Sequence, residues 1–156
     1  MWRFYGRGVI ALIAALSATP VLSQAANFGT LTLSPGFPAA SALATGQTGG
    51  AYSLPSIANS DRNKKSCIGY GSDTPDHIMV LEKDFPKLTV LVNAPGKDTT
   101  LLIRGPNNLI LCGDDTGSRK DANVTATNWK AGRYQIWVGS IESGQRWNYS
   151  LTVRER

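Results

Sequence analysis

Short segments in which apolar and polar residues alternate constrain the fold of this chain more than any other feature. Residues 133–138 read Arg-Tyr-Gln-Ile-Trp-Val, and residues 147–153 repeat the alternation. A period of two places every second side chain on the same face of a β-strand. Turn residues, such as Gly-Pro-Asn-Asn at 105–108, separate these segments at intervals of roughly ten residues.

The pattern predicts seven to nine strands and no amphipathic helix. We expect the polar stretches 58–66 and 113–123 to be surface loops. Two antiparallel sheets that bury their apolar faces form a β-sandwich, so the predicted fold class is all-β, an antiparallel β-sandwich. The strands are predicted at 28–33, 51–57, 76–81, 88–92, 100–104, 109–112, 124–126, 133–138 and 147–153. The predicted core comprises Leu31, Leu33, Ile78, Val80, Val90, Leu101, Ile103, Leu109, Leu111, Tyr134, Ile136, Val138, Leu151 and Val153.

The amino terminus has the pattern of a secretory signal peptide, predicted at 1–25 and followed by one domain at 26–156. Arg3 and Arg7 precede an apolar run at 9–22, and Ser-Gln-Ala at 23–25 offers small residues for cleavage. A membrane anchor is the alternative, but the run is shorter than the roughly 20 residues that span a bilayer. We therefore expect a periplasmic or secreted protein with no transmembrane segment after signal cleavage.

The two cysteines, Cys67 and Cys112, both lie in the part predicted to be exported. In an oxidising compartment an isolated pair usually forms a disulfide, which is our prediction for this pair. Zinc is the alternative, but His77 is the sole histidine of the chain, and there are no other thiols.

The charge of the chain does not indicate a nucleic-acid partner. Signal cleavage would lower the net charge from +5 to about +3. The basic clusters at 62–65 and 119–120 lack the interleaved aromatic residues that stack on bases. We therefore expect the partner to be a protein or an envelope polymer such as a polysaccharide, and not nucleic acid.

The segment 98–139 resembles the bacterial pre-peptidase C-terminal domain family. Its order is a strand, a hairpin, an acidic loop and a Gly-x-Tyr strand that ends in Val-Gly. The resemblance continues more weakly upstream and covers most of 26–156. The matching residues are 98–103, Gly105-Pro106-Asn107, Cys112-Gly113-Asp114-Asp115 and 132–139, with Gly49-Gly50, 67–70 and Pro75-Asp76-His77 upstream.

The resemblance implies a jelly-roll-like β-sandwich of the kind appended to secreted bacterial proteins for substrate or surface binding. We expect the domain to stand alone in this chain, without a protease domain beside it. The resemblance thus implies a non-catalytic accessory module that requires no cofactor. Calcium is the alternative that it raises, because some members of the family bind Ca²⁺.

A calcium site is predicted around the polar stretch that follows Cys112. Ca²⁺ takes six to eight oxygen ligands, mostly from carboxylates, carbonyls and water. Asp114, Asp115 and Asp121 supply carboxylates there, and Asp98 can approach from the neighbouring strand. Side-chain bonds that only shape a turn are the competing interpretation.

Two further hypotheses concern His77 and Trp137. A small hydrolase of the peptidase type would need His77 as general base, but the chain has no Gly-x-Ser-x-Gly motif beside it. We therefore predict that the protein is not an enzyme. Trp137 has the opposite parity to Tyr134 on their strand, so it should point outward and offer a ring for ligand stacking. Cover from Trp129 or Trp147 is the alternative.

Overall fold

The computed structural model describes residues 25–156; residues 1–24, which hold almost all of the predicted signal peptide, lie outside the described residues. The described part contains eleven strands and three short 3-10 turns, at Ala39–Ala42, Leu54–Ser56 and Pro106–Asn108. Its helices include none with the length and apolar character needed to cross a bilayer. The strands are β1 (Thr30–Leu33), β2 (Leu43–Gln47), β3 (Tyr52–Ser53), β4 (Tyr70–Gly71), β5 (His77–Leu81), β6 (Phe85–Asn93), β7 (Thr99–Arg104), β8 (Ile110–Thr116), β9 (Arg119–Trp129), β10 (Gly132–Ser140) and β11 (Asn148–Glu155).

The strands form the predicted all-β sandwich of two sheets that share β8. The first sheet has the order β1-β5-β10-β7-β8, with β4 pairing with β10 and with β3. The second sheet has the order β8-β9-β6-β11-β2. A bulge between Asp114 and Thr116 lies where β8 leaves β7 and pairs with β9. Such a bulge bends a strand, so β8 closes one corner of the sandwich.

The pairing differs from the prediction in three respects. β1 runs parallel to β5, whereas the other strand pairs of the described chain are antiparallel. The strand number is eleven because two strands are additional, β2 beside the Gly-rich stretch and the two-residue β4. The strand predicted at 51–57 is present only as the two-residue β3. The stretch 113–123, predicted as a loop, is a β-hairpin instead. Its side chains are polar, but its backbone continues both ladders around a turn at Gly117.

The core between the sheets contains most of the predicted residues, but β5 has the opposite orientation. Met79 and Leu81 belong to the core, whereas Ile78 and Val80 do not. This strand is apolar at nearly every position, so alternation cannot tell its two faces apart, and a shift of one residue exchanges them. His77, two residues before Met79, consequently points into the sandwich.

A second apolar cluster covers the outer face of the first sheet, on the far side from the core. It contains Leu54, Cys67, Leu102, Cys112 and Trp137. The segment 54–69, which we call the disulfide loop, supplies Leu54 and Cys67. The predicted Cys67–Cys112 disulfide is present and joins this loop to β8, with the two Cα atoms 5.2 Å apart.

Asp61 holds the polar part of the disulfide loop in place. Its Oδ1 accepts hydrogen bonds from the backbone N–H groups of Asn63 and Lys65, at 2.7 and 2.9 Å. Its Oδ2 accepts a longer bond, 3.4 Å, from the backbone N–H of Cys112 on β8. The loop is therefore attached to the sheet both covalently and through this carboxylate.

Candidate functional site

A groove of about 610 Å³, lined by both aromatic and polar side chains, lies at one end of the sandwich. Four segments converge there: the start of β1, the β2–β3 connection, the β4–β5 connection and the β10–β11 connection. Two aromatic rings in its lining, Phe28 and Tyr52, are 44% and 41% exposed. The lining residues are Asn27, Phe28, Gln47, Thr48, Gly49, Gly50, Ala51, Tyr52, Gly71, Ser72, Asp73, Asp76 and Arg146. Exposed rings beside polar side chains suit the contact with a sugar ring or a partner surface.

Thr48 joins two of the converging segments. Its hydroxyl donates a hydrogen bond to the carbonyl of Gln145 at 2.8 Å and accepts one from the backbone N–H of Trp147 at 2.9 Å. Thr48 is 1% exposed, so these bonds are shielded from water. They hold the chain on both sides of Arg146, whose exposed side chain lines the groove and forms no ion pair with the described residues.

Gly50 allows the β2–β3 connection to approach the β4–β5 connection closely. Its φ is +103°, and a Cβ at this position would lie 2.2 Å from the carbonyl oxygen of Gly71. Only glycine combines this backbone conformation with this distance. The carbonyl of Gly50 also accepts a hydrogen bond from the N–H of Gly144 at 2.9 Å, so three connections meet in this part of the groove.

Asp76 fastens the segment that carries Phe28. Its Oδ1 accepts from the side-chain amide of Asn27 at 3.2 Å, and its Oδ2 accepts from the backbone N–H of Val138 at 2.8 Å. Burial raises the pKa of this carboxyl from 3.8 to about 6, although both hydrogen bonds favour the ionised form and oppose the shift. Asp76 is 3% exposed and thus serves as a buried anchor beneath the groove.

Phe28 also packs on a buried polar pair, His77 and Tyr149. The His77 Nε2 and the Tyr149 hydroxyl are 2.9 Å apart, and the centroid of the Phe28 ring lies 5.9 Å from that of His77. Burial lowers the pKa of His77 from 6.5 to about 4 and raises the pKa of Tyr149. Both groups are therefore neutral at neutral pH.

The surroundings of His77 do not match the peptidase hypothesis. Its Nε2 faces a tyrosine hydroxyl, and its Nδ1 has no hydrogen-bond partner among the described residues. A Ser-His-Asp triad would need a serine on one nitrogen and a carboxylate on the other. With no exposed surface, His77 is instead part of the support for Phe28.

Three of the four predicted metal ligands lie close together. One carboxylate oxygen from each of Asp98, Asp114 and Asp115 lies within 4.8 Å of the other two. The pKa of Asp114 is raised, first by burial and then by the charges of Asp115 and Asp98. Lys120 lies 3.3 Å from an oxygen of Asp98 and offsets part of this negative charge.

Asp121, the fourth predicted ligand, is not part of this group. Its Oδ1 accepts a hydrogen bond from the backbone N–H of Ala94 at 2.9 Å, and the residue is 9% exposed. The prediction placed Asp121 in a loop, but it lies on β9, where its side chain caps the end of β6. The structure therefore separates Asp121 from the other three predicted ligands.

Trp137, the residue predicted to stack on a ligand, exposes no ring face in this structure. Its orientation is as expected, on the outer face of the first sheet, but it is 1% exposed. The cover comes from the disulfide loop and from the Arg104 guanidinium, whose Cζ is 5.4 Å from the ring centroid. Neither Trp129 nor Trp147 provides it. The indole N–H has no acceptor among the described residues.

Sequence reasoning missed the groove, although it noted some of its residues. Gly49-Gly50 and Pro75-Asp76 contributed to the family resemblance without a role. The useful signal is the pair Gly49-Gly50 between two predicted strands, because glycine often marks a close approach of two backbone segments. The partner of Thr48 lies about a hundred residues away, and the alternation of strands contains no information about that contact.

Known proteins provide a structural neighbour for this disulfide-linked β-sandwich with a groove at one end. No protein-family model matches the sequence, and no curated protein matches it. Among solved structures, the chain is similar to the pre-peptidase C-terminal domain of collagenase from Bacillus anthracis. The likeness has 14% sequence identity and a TM-score of 0.44, and it covers 80% of this chain and 94% of that chain.

Proposed function

We propose that this protein is an exported, non-catalytic binding module that holds an envelope polysaccharide in the groove between Phe28, Tyr52 and Arg146. The observation that carries the proposal is the exposure of both aromatic rings in a groove that is also lined by polar side chains, among them Gln47, Asp73 and Arg146. Sugar rings present apolar C–H faces and hydroxyl edges, which these two kinds of group complement.

The rigidity of the groove supports the proposal. Thr48, Gly50 and Asp76 each fix a different connection through buried contacts, so little conformational entropy is lost when a ligand binds. The signal-peptide pattern and the disulfide are compatible with a periplasmic or secreted location. The resemblance to accessory domains of secreted proteins points the same way.

The test is retention of the protein on isolated envelope polysaccharides, using material purified from the periplasm of an expressing bacterium. The variants Phe28→Ala and Tyr52→Ala should each weaken binding by about three- to tenfold. Leu43→Ala is a matched control, because Leu43 is 52% exposed on β2 but does not line the groove. Thermal unfolding of each variant checks that the fold is kept. Failure of every polysaccharide to retain the wild type, or equal retention of all variants, would contradict the proposal.

A second candidate function is calcium binding by Asp98, Asp114 and Asp115. The favouring observation is that three carboxylates, two on β8 and one on the residue before β7, approach within 4.8 Å without full compensation of their charge. A divalent cation would relieve this repulsion, and the backbone and water would complete its coordination.

Calorimetric titration with Ca²⁺ and thermal unfolding with and without Ca²⁺ test this second function. Calcium at millimolar concentration should raise the melting temperature of the wild type, and Asp114→Asn should abolish that increase. Asp73→Asn is the matched control, since Asp73 is exposed and lies outside the acidic group. Absence of heat and of a melting shift in the wild type would exclude calcium binding at this concentration.

A further inference from the structure

A second pocket, of about 410 Å³, lies on the first sheet near the start of β10, whereas the groove lies beyond the end of that strand. Its lining contains two arginines and two side-chain amides: Arg104, Gly105, Asn108, Arg133 and Gln135. Arg104 pairs directly with Gln135 across β7 and β10. No carboxylate of the described residues lines the pocket, so its electrostatic character is positive.

Two contacts hold the Arg104 guanidinium in one orientation. Its Nε donates a hydrogen bond to Oε1 of Gln135 at 2.8 Å. Its Cζ lies 5.4 Å from the centroid of the Trp137 ring, which is itself buried beneath the disulfide loop. A cation above an indole face is electrostatically favourable, and it limits the movement of the arginine side chain.

The terminal nitrogens of Arg104 remain available for a ligand. A guanidinium has five N–H donors, and the bond to Gln135 uses the one on Nε. No described carboxylate forms an ion pair with Arg104. Its Nη donors match the spacing of two oxygens on an oxyanion, and they are preorganised because the side chain is already held.

We propose that Arg104 and Arg133 form a binding site for an oxyanion, namely a carboxylate, sulfate or phosphate group, either free or carried on a polymer. Arg104 accepts the anion in the two-bond geometry, and Arg133 adds a second positive charge from the neighbouring strand. This site is separate from the polysaccharide groove, so it does not depend on the function proposed above.

The experiment is an NMR titration of the arginine Nε–H resonances with sodium acetate, sulfate and phosphate, each at constant ionic strength. The Arg104 resonance, identified by its loss in Arg104→Gln, should shift saturably, whereas that of the exposed Arg156 should not. Arg104→Lys, which keeps the charge but loses the paired donors, should weaken binding by about tenfold. Arg133→Gln leaves the cover of Trp137 intact and should also weaken binding, by about threefold.

Arg156→Gln is the matched control, because it removes the same charge at an exposed site outside the pocket. Equal affinities of this variant, Arg104→Lys and Arg133→Gln would overturn the proposal, as would parallel shifts of all exposed arginines. Titration with a uronate polymer, a sulfated polymer and a polyphosphate then separates the sources. Tighter binding per anionic group than with the free anion indicates a polymer-borne ligand, and equal binding indicates a free one.

Discussion

The two apolar regions of this sandwich are stabilised in different ways. The core between the sheets consists of alternate residues of long strands, as with Tyr134, Ile136 and Val138 on β10. The cluster outside the first sheet consists of Trp137 and Leu102, covered by a loop that carries almost no regular structure. The first needs only sheet-on-sheet packing, whereas the second needs a covalent bond to keep its cover in place.

This difference shows why an outward-facing apolar residue is hard to interpret. Trp137 and Leu102 face away from the core, and both are 1% exposed. The disulfide loop, which connects the paired strands β3 and β4, buries them, and the Cys67–Cys112 bond attaches it to β8. The same loop fixes Trp137 as a platform for Arg104, so the cover also organises the proposed anion site on that face.

Removal of the disulfide should have the largest effect on stability. The pair closes a loop of 45 residues, so Cys67→Ser/Cys112→Ser should lower the free energy of unfolding by about 4 kcal/mol through the entropy of the unfolded chain. Urea unfolding measures the loss, and hydrogen exchange should show deprotection within 54–69 before the core strands. If amide protons of the disulfide loop and of the core strands lost protection together, the two apolar regions would unfold as one unit.

Truncation of a single buried side chain tests the core between the two sheets without affecting the outer cluster. Ile136 is fully buried, so Ile136→Ala should cost about 3 kcal/mol from lost burial and a residual cavity. Ile141→Ala makes the same change one residue beyond β10, where the side chain is 38% exposed. Its cost should stay below about 0.5 kcal/mol by urea unfolding. Similar costs for the two variants would contradict this core assignment.

The free energy of unfolding should depend on pH through two buried titratable residues, Asp76 and His77. Burial raises the pKa of Asp76 from 3.8 to about 6, so the folded state binds more protons and Asp76 reduces stability as the pH rises through this range. Burial lowers the pKa of His77 from 6.5 to about 4, so His77 increases stability as the pH rises through its range. The two effects oppose each other, and the wild type should change little across this window.

Single variants separate these opposing effects. His77→Gln keeps only the contribution of Asp76, and its stability should fall by roughly 2 kcal/mol as the pH rises from about 4 to about 6. Asp76→Asn should show the reverse slope. Urea unfolding at several pH values measures both, and a wild type as steep as either variant would argue against the compensation.

The smallest effect is expected on the outer face. Trp137→Phe leaves a small cavity, but it also removes a buried indole N–H that has no acceptor among the described residues. Because these changes oppose each other, the net cost should be about 1 kcal/mol. Thermal unfolding measures it, with Trp147→Phe as a control at a half-buried site. If Trp137→Phe lowered the free energy of unfolding as much as Ile136→Ala, the core and the outer cluster would be packed in the same way.

Prediction from the sequence succeeded where local pattern decides structure and failed where distant segments meet. β7 and β10 lie within two residues of their predicted bounds, and the alternate residues Tyr134, Ile136 and Val138 of β10 face the core as predicted. The disulfide follows from a single cysteine pair. β5 was assigned the wrong face because both of its faces are apolar. Asp121 was assigned to a loop because polar side chains conceal a paired backbone.

The candidate sites divide in the same way. The sequence allowed us to predict that Asp98, Asp114 and Asp115 lie close together, because β7 and β8 are consecutive strands joined by a hairpin. The groove could not, since Thr48, Asp76 and Arg146 meet only when four separate connections converge. Nothing in the alternation of one strand indicates which other connection will lie beside it.

By itself, the sequence determined the class of fold, most of the inward-facing residues and the pairing of the cysteines. These depend on the period of the side chains along a strand and on the chemistry of two thiols. The tertiary structure alone decided that Trp137 is covered, that His77 supports Phe28, and that a groove and a positive pocket lie near opposite ends of β10. Such features arise from contacts between residues far apart in the chain, whose free energy is realised only after both sheets have packed.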